Sequence, residues 1–354
     1  MQTSEKTVGQ TAEQSAKNST EQSAYDVIVI GGGPGGYAAA LYAVRAGLST
    51  MVLEMFSAGG QMAETDKIDN YPGFNEGIEG FDLGERMAKG AENFGAETVF
   101  AEVMRVDFSQ TPKVIETRDK RYTALAVIIA TGAAPRRLDI EGEEMLRSRG
   151  VAYCASCDGM FYKGRPVAVV GSGNTAAGDA LLLSNICSKV YFVHRYDMPH
   201  AEQAYIEILK NTPNVEFFPN SETTGFIFQD QKTVTADDSR KNQSAGGKTS
   251  LLKGITVTDT ASGMTREILC DGVFAAVGRT PNTKLFEGQL DLTVQGYIMA
   301  EENTKTNIPG VFAVGDVRTK PVRQIITAAA DGAVSAKFAE EYVFSERFSR
   351  TSEL

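Results

Sequence analysis

Cysteine, positive charge and long apolar runs are all scarce in this 354-residue chain, and each scarcity excludes a class of function. The four cysteines, Cys154, Cys157, Cys187 and Cys270, are far too few for a secreted disulfide scaffold. Lys and Arg number 35 against 45 Asp and Glu, a formal net charge of −10. Phosphate backbones and anionic lipid both require basic surface, so neither nucleic acid nor a membrane is an expected partner. No apolar run approaches the ~18 residues that a membrane span needs. Residues 1–24 have no apolar segment of the signal-peptide kind and are rich in Gln, Ser, Thr, Glu and Lys. A disordered leader and a cytoplasmic setting are therefore expected.

The remainder has an ordinary globular composition, 42% hydrophobic and 23% charged, and length enough for two domains. YDVIVI, a short β-branched run, passes at once into GGGPGGYAAALYAVRAGL, and a second strand, STMVLE, ends on Glu54. Strand, glycine turn and alanine-rich helix are the opening of a dinucleotide fold. The same order recurs in PVAVV, GSGNTAAGDALLLS and KVYFVHR. Two glycine-ended strands, AVIIATGAAP and DGVFAAVGRTPN, read as the crossings into and out of an inserted domain. The expected fold is α/β, with two Rossmann-like (three-layer ββα) nucleotide-binding domains, the second inserted in the first. The first would span residues 25–138 and 279–354, the second 139–278. Residues 229–250 read as a polar excursion from the second domain.

Gly31, Gly33 and Gly36 fit G-x-G-x-x-G, which lets the turn close, lets pyrophosphate reach backbone amides and lets helix and strand pack. Glu54 stands where an acid accepts hydrogen bonds from an adenosine ribose. The second loop, Gly171-Ser172-Gly173-Asn174-Thr175-Ala176, is G-x-G-x-x-A in the same context. After its second strand come His194, Arg195, Tyr196, Asp197, Met198, Pro199 and His200. One arginine and no acid at the strand end leave NAD and NADP equally open. Asp316, at the end of GVFAVGDV, is either a helix cap or an acceptor for the sugar alcohol of a flavin.

Cys154-Ala155-Ser156-Cys157, followed by Asp158, allows a small disulfide ring, half of a zinc site, or two unrelated core thiols. Zinc needs four ligands, usually from a second such pair. Cys187 stands alone in a helical pattern, Cys270 ends a strand, and His194 and His200 follow another strand, so no metal is expected. Cys187 and Cys270 read as buried fillers. Asp158 suits either a proton shuttle to the thiols or a turn cap.

GGGPGGYAAALYAVRAGL, AGGQMAETDKIDNYPGF, IIATGAAPR, YCASCDGMF, GSGNTAAGDALLL and NIPGVFAVGDV with RQIITAAADGAVSA occur in this order. Together, over about residues 25–345, the chain resembles the low-molecular-weight bacterial thioredoxin reductase family. The resemblance implies a homodimer of a flavin domain and an inserted pyridine-nucleotide domain, which swivel between catalytic states. It implies FAD contacts at Gly31, Gly33, Gly36, Glu54, Gln61, Asn70, Thr131, Gly132, Asp316, Arg323 and Gln324. The nicotinamide nucleotide would meet Gly171, Gly173, Asn174, Thr175, Ala176, His194 and Arg195. Cys154 and Cys157 match the redox pair and Asp158 the acid after it. FAD would relay two electrons from NADPH or NADH to the Cys154–Cys157 disulfide, which would reduce thioredoxin or a thioredoxin-like protein. In the family the second cysteine lies nearer the flavin and the first exchanges with the protein substrate. The chain departs from the family where Tyr196 and His200 replace arginines and where Gly178 and Asp179 replace paired glutamates. NADH, a ferredoxin donor, or a dithiol oxidase that does not use NADPH are the alternatives that these departures raise.

Overall fold

The computed structural model describes residues 23–65, 67–228 and 251–352, which form two compact units. Of these described residues, the first unit holds those up to Glu64, Gly80–Gly132 and those from Pro281 onwards; the second holds those within Thr65–Glu79 and Ala133–Thr280. Nearly all of the expected leader and all of the excursion at 229–250 lie outside the described residues. The first strand already begins at Ser23.

The first unit is built on β1 (Ser23–Ile30), flanked in parallel by β2 (Thr50–Glu54) and β6 (Arg121–Ile129), with β3 (Glu97–Phe100) beyond β2. One edge of β6 serves two partners. Its residues 121–124 pair antiparallel with β5 (Lys113–Thr117), which continues to β4 (Val103–Asp107), and residues 127–129 pair parallel with β17 (Val311–Ala313). The alternation of β1 decides the layers. Val27 and Val29 pack with Tyr37 and Ala40 of α1 (Pro34–Arg45) and Ala339 and Val343 of α7 (Ile325–Ser352), while Ile28 and Ile30 pack with Val106 and Ile115 of the antiparallel strands. Helix α2 (Gly80–Glu92) adds Ala88 and Ala91 to the helical side. Pro34 at the start of α1 costs no hydrogen bond, because the first turn lacks acceptors for its N–H groups in any case.

The second unit repeats this plan in parallel strands ordered β11 (Val215–Phe218), β10 (Lys189–Val193), β9 (Pro166–Val170), β15 (Gly272–Ala275) and β8 (Val151–Ala152). Val167 and Val169 face Ala176, Ala177, Ala180 and Leu183 of α5 (Asn174–Ser184), with Leu209 of α6 (Gln203–Lys210) completing that side. Ala168 and Val170 face the antiparallel sheet of β12 (Ser221–Phe228), β13 (Leu252–Asp259) and β14 (Thr265–Leu269), through Ile255, Val257 and Ile268. The chain enters and leaves this unit along two paired short strands, β7 (Ala133–Pro135) and β16 (Arg279–Pro281). The fold is α/β, two Rossmann-like units with the second inserted in the first. Among the described residues no helix is long and apolar enough to cross a membrane.

Candidate active site

Cys154 and Cys157 form a disulfide, with their Cα atoms 5.3 Å apart. Cys154 is the N-cap of a single helical turn, α4 (Ala155–Asp158), and its carbonyl accepts the Asp158 N–H at 3.0 Å. Cys157 is exposed and Cys154 half-buried. A Cβ on Gly159 would sit 3.1 Å from Leu183, so glycine there lets this turn lie against α5. Burial pushes the Asp158 carboxyl up to about 6, within reach of neutral pH.

The stretch before Cys154 is clamped by a residue that sequence reading did not single out. Glu143, the first residue of the short helix α3 (Glu143–Leu146) and 4% exposed, accepts the N–H groups of Leu138 and Asp139 at 3.0 and 2.9 Å and the Tyr153 hydroxyl at 2.6 Å. The residue ahead of the redox pair is thereby tied to the segment that follows β7. Cys187 and Cys270 are unpaired and buried, and burial raises their thiols to about 11 and about 12, which makes them poor nucleophiles. Among the described residues no three His, Cys, Asp or Glu side chains gather as a metal cluster.

In the first unit the glycine loop meets three other segments. Gly31 has φ +107°, and a Cβ there would strike the Ala130 carbonyl oxygen; a Cβ on Gly36 would strike that of Gly31. Glu54 is buried and accepts Gly32 N–H at 2.6 Å and Phe56 N–H at 3.1 Å, which leaves lone pairs for a ribose. Gly59 N–H donates to Gly32 O at 2.8 Å, so the turn that carries Gln61 rests on the loop, and a Cβ on Gly132 would lie 3.9 Å from Gln61 Nε2. Asn282, another residue sequence reading missed, fixes Thr131 and Gly132. Its Nδ2 donates to Thr131 O, its carbonyl accepts the Thr131 hydroxyl, both at 2.8 Å, and its N–H donates to Gly132 O.

Asp316 sits in the turn after β17, which is held from behind by Asp331 of α7. The Asp331 carboxylate accepts Gly315 N–H at 2.9 Å, both Nε and Nη2 of Arg318 at 2.9 and 2.8 Å, and Lys320 Nζ at 2.8 Å. Burial alone would raise this carboxyl; the hydrogen bonds from Arg318 and Lys320 outweigh it and hold it below the ordinary range. Arg323 lies over the Tyr297 ring, 4.3 Å from its centroid, and its buried Nε has no hydrogen-bond partner. Gln324 N–H donates to the Thr327 hydroxyl at 3.1 Å as α7 begins. A loop without room for Cβ atoms, a buried acid at the strand end and an orphaned guanidinium nitrogen all fit FAD. Asn70 lies in the Thr65–Glu79 segment, which clusters with the second unit.

The second loop is built alike. Gly171 has φ +152° and no room for a Cβ beside Ala276 O and Ala176, which explains the small residue at position 176. Gly173 is the N-cap of α5, and Asn174 and Thr175 are exposed at its start. Asn174 exchanges two hydrogen bonds with Glu202, at 2.9 and 2.8 Å. His194 is buried between Phe192 and Phe217, with Nδ1 2.7 Å from Tyr196 O and Nε2 without a partner; burial lowers its pKa. Arg195 is exposed and pairs with Glu222 at 2.9 Å.

The family model of pyridine nucleotide-disulphide oxidoreductases matches residues 25–332. The chain is 41% identical to the thioredoxin reductase of Listeria monocytogenes over 324 residues, covering 92% of this chain and 95% of that protein. It is 39% identical to the thioredoxin reductase of Bacillus subtilis, covering 92% of this chain and 96% of that one. The solved thioredoxin reductase of Streptococcus pyogenes matches with a TM-score of 0.80 at 34% identity, over 92% of this chain and 99% of that one.

Proposed function

Because the chain belongs to the pyridine nucleotide-disulphide oxidoreductase family, we propose that it is a flavin-dependent thioredoxin reductase whose working centre is the Cys154–Cys157 disulfide. That disulfide, at the head of a helical turn in a dinucleotide-binding unit, is the observation that carries the reading. FAD, when bound, supplies two-electron carriage between a nicotinamide donor and the disulfide. Gly31, Gly33 and Gly36 admit its pyrophosphate, Glu54 accepts its ribose, and Asp316, Arg323 and Gln324 orient the remainder.

Opening the disulfide takes two electrons and two protons and gives the Cys154 and Cys157 thiols. Asp158, protonated below about 6, holds a proton next to Cys157. Cys154 gives up its proton and attacks, as the thiolate, a disulfide of thioredoxin or a thioredoxin-like protein, and one partner sulfur leaves as a thiolate that takes up a proton. Cys157 attacks the Cys154 sulfur of the mixed disulfide, which releases the reduced partner and restores the Cys154–Cys157 bond. The intact second loop favours a nicotinamide donor over ferredoxin.

A homodimer in the cytoplasm is the setting we infer. The buried, unpaired Cys187 and Cys270 suit a reducing compartment. Phe56 and Phe81 of the first unit, 79% and 51% exposed, are apolar surface of the kind a second copy covers. Cys154→Ser or Cys157→Ser is expected to abolish thioredoxin reduction while the protein keeps its yellow flavin. Turnover that survives both substitutions would overturn the reading.

A further inference from the structure

The second nucleotide loop is intact, yet the residues around its ribose end do not suit a phosphate. We propose that this site selects a pyridine dinucleotide with a free 2′-hydroxyl, NADH, and that Tyr196, His200 and Glu222 set its discrimination against NADPH. The inference rests on the reading of the chain as a flavin-dependent disulfide reductase, and it adds the identity of the electron donor.

In a doubly wound sheet the adenosine ribose lies at the end of the strand that follows the loop helix. Here that strand is β10, which ends at Val193. The segment after it is held beside the loop, because Glu202 is bonded twice to Asn174, the first residue of α5. Within the segment the Tyr196 and His200 rings stack, with centroids 4.0 Å apart and planes 29° from parallel. Two stacked ring faces thus occupy the rim where guanidinium groups would grip a phosphate.

Arg195 is the only Lys or Arg between Val190 and Leu209. Its Nη2 lies 2.9 Å from Glu222 Oε1 on β12. Both side chains are more than half exposed, so the pair by itself is weak and a ligand can break it. The decisive point is what stays behind. A dianionic 2′-phosphate on Arg195 would remain beside the Glu222 carboxylate, with Asp197 two residues along the chain. A ribose 2′-hydroxyl meets the opposite situation, since it donates to a carboxylate, and Glu222 supplies from β12 the acid that the end of β10 lacks. His194 adds no cation at the rim, because its ring is buried between Phe192 and Phe217.

Calorimetric titration of the FAD-loaded protein with ADP-ribose and with its 2′-phosphate tests this without turnover. The wild type is expected to bind ADP-ribose at least about tenfold more tightly than the 2′-phosphate form. A Tyr196→Arg, His200→Arg, Glu222→Gln variant should move the preference towards the phosphate by about a hundredfold. Glu222→Gln alone should weaken ADP-ribose and narrow the ratio; retained flavin absorbance and melting temperature show that either variant is folded. Equal or tighter binding of the 2′-phosphate by the wild type overturns the proposal. So does a ratio unmoved in both variants, or no binding of either probe. The underlying reading fails separately: dithionite-reduced protein would then leave thioredoxin oxidised with no nucleotide present.

Discussion

Asp158 and Asp179 are two carboxyls that burial raises to about 6, and they report on different things. Asp158 adjoins the redox pair, and the proposed mechanism uses its proton. The proton is present below about 6 and lost above it, so proton delivery to the cysteines should slow as pH rises through that value. Asp158→Asn is expected to lower the stopped-flow rate of dithiol formation by about 10²–10⁴-fold and to remove that pH dependence, with flavin binding unchanged. Asp179 lies on α5, and burial is the cause of its shift. Its native pKa lies above the ordinary carboxylate value, so the folded state carries the cost of a buried charge once the pH exceeds about 6 and none well below the ordinary value. Asp179→Asn should therefore stabilise the protein by about 1–3 kcal/mol at about pH 8 and leave it nearly unchanged at about pH 4, as read by urea unfolding. Cys157→Ser should trap thioredoxin as a mixed disulfide on Cys154, seen by mass spectrometry; trapping only in Cys154→Ser would reverse the roles of the two sulfurs.

At the scale of elements, the turn after β17 depends on α7. Asp331 neutralises Arg318 and Lys320, whose side chains are 8% and 5% exposed. Asp331→Asn would leave two buried cations without a carboxylate, a loss of about 3–5 kcal/mol in thermal unfolding, together with weaker FAD retention. That dependence also marks the limit of what the chain alone discloses. Both glycine loops were legible because strand, turn and helix are contiguous, and Gly36 makes room for the Gly31 carbonyl within one loop; at Gly31 and Gly171 the missing Cβ also admits the distant carbonyls of Ala130 and Ala276. The clamp of Glu143 on Tyr153, the grip of Asn282 on Thr131 and the Asp331 network join residues that periodicity never brings together. They are formed by tertiary packing. His194 illustrates the reverse case: its place after β10 marks it as a nucleotide contact, but Phe192 and Phe217 enclose its ring. Likewise Arg195 looks available in sequence, and its partner Glu222 lies on a strand 27 positions later.

For the whole molecule, one architecture is used twice, and the second copy keeps the strand, glycine loop and helix of the first. The residues proposed to hold the flavin, Asn70 excepted, fall in the first unit, and the cysteines and the second glycine loop fall in the second. Light scattering of the FAD-loaded protein should give twice the chain mass, and a monomer at micromolar concentration would contradict the dimer. The central claim is that electrons pass to protein disulfides through Cys154 and Cys157. It is tested most directly by reducing the FAD-loaded protein anaerobically, adding oxidised thioredoxin, and alkylating thiols before and after for mass spectrometry. Two labels per chain, on Cys154 and Cys157, should appear on reduction and vanish when thioredoxin is added, as thioredoxin gains its own pair. Thioredoxin reduced while Cys154 and Cys157 stay unlabelled throughout, or an equal yield from the double serine variant, would contradict the account.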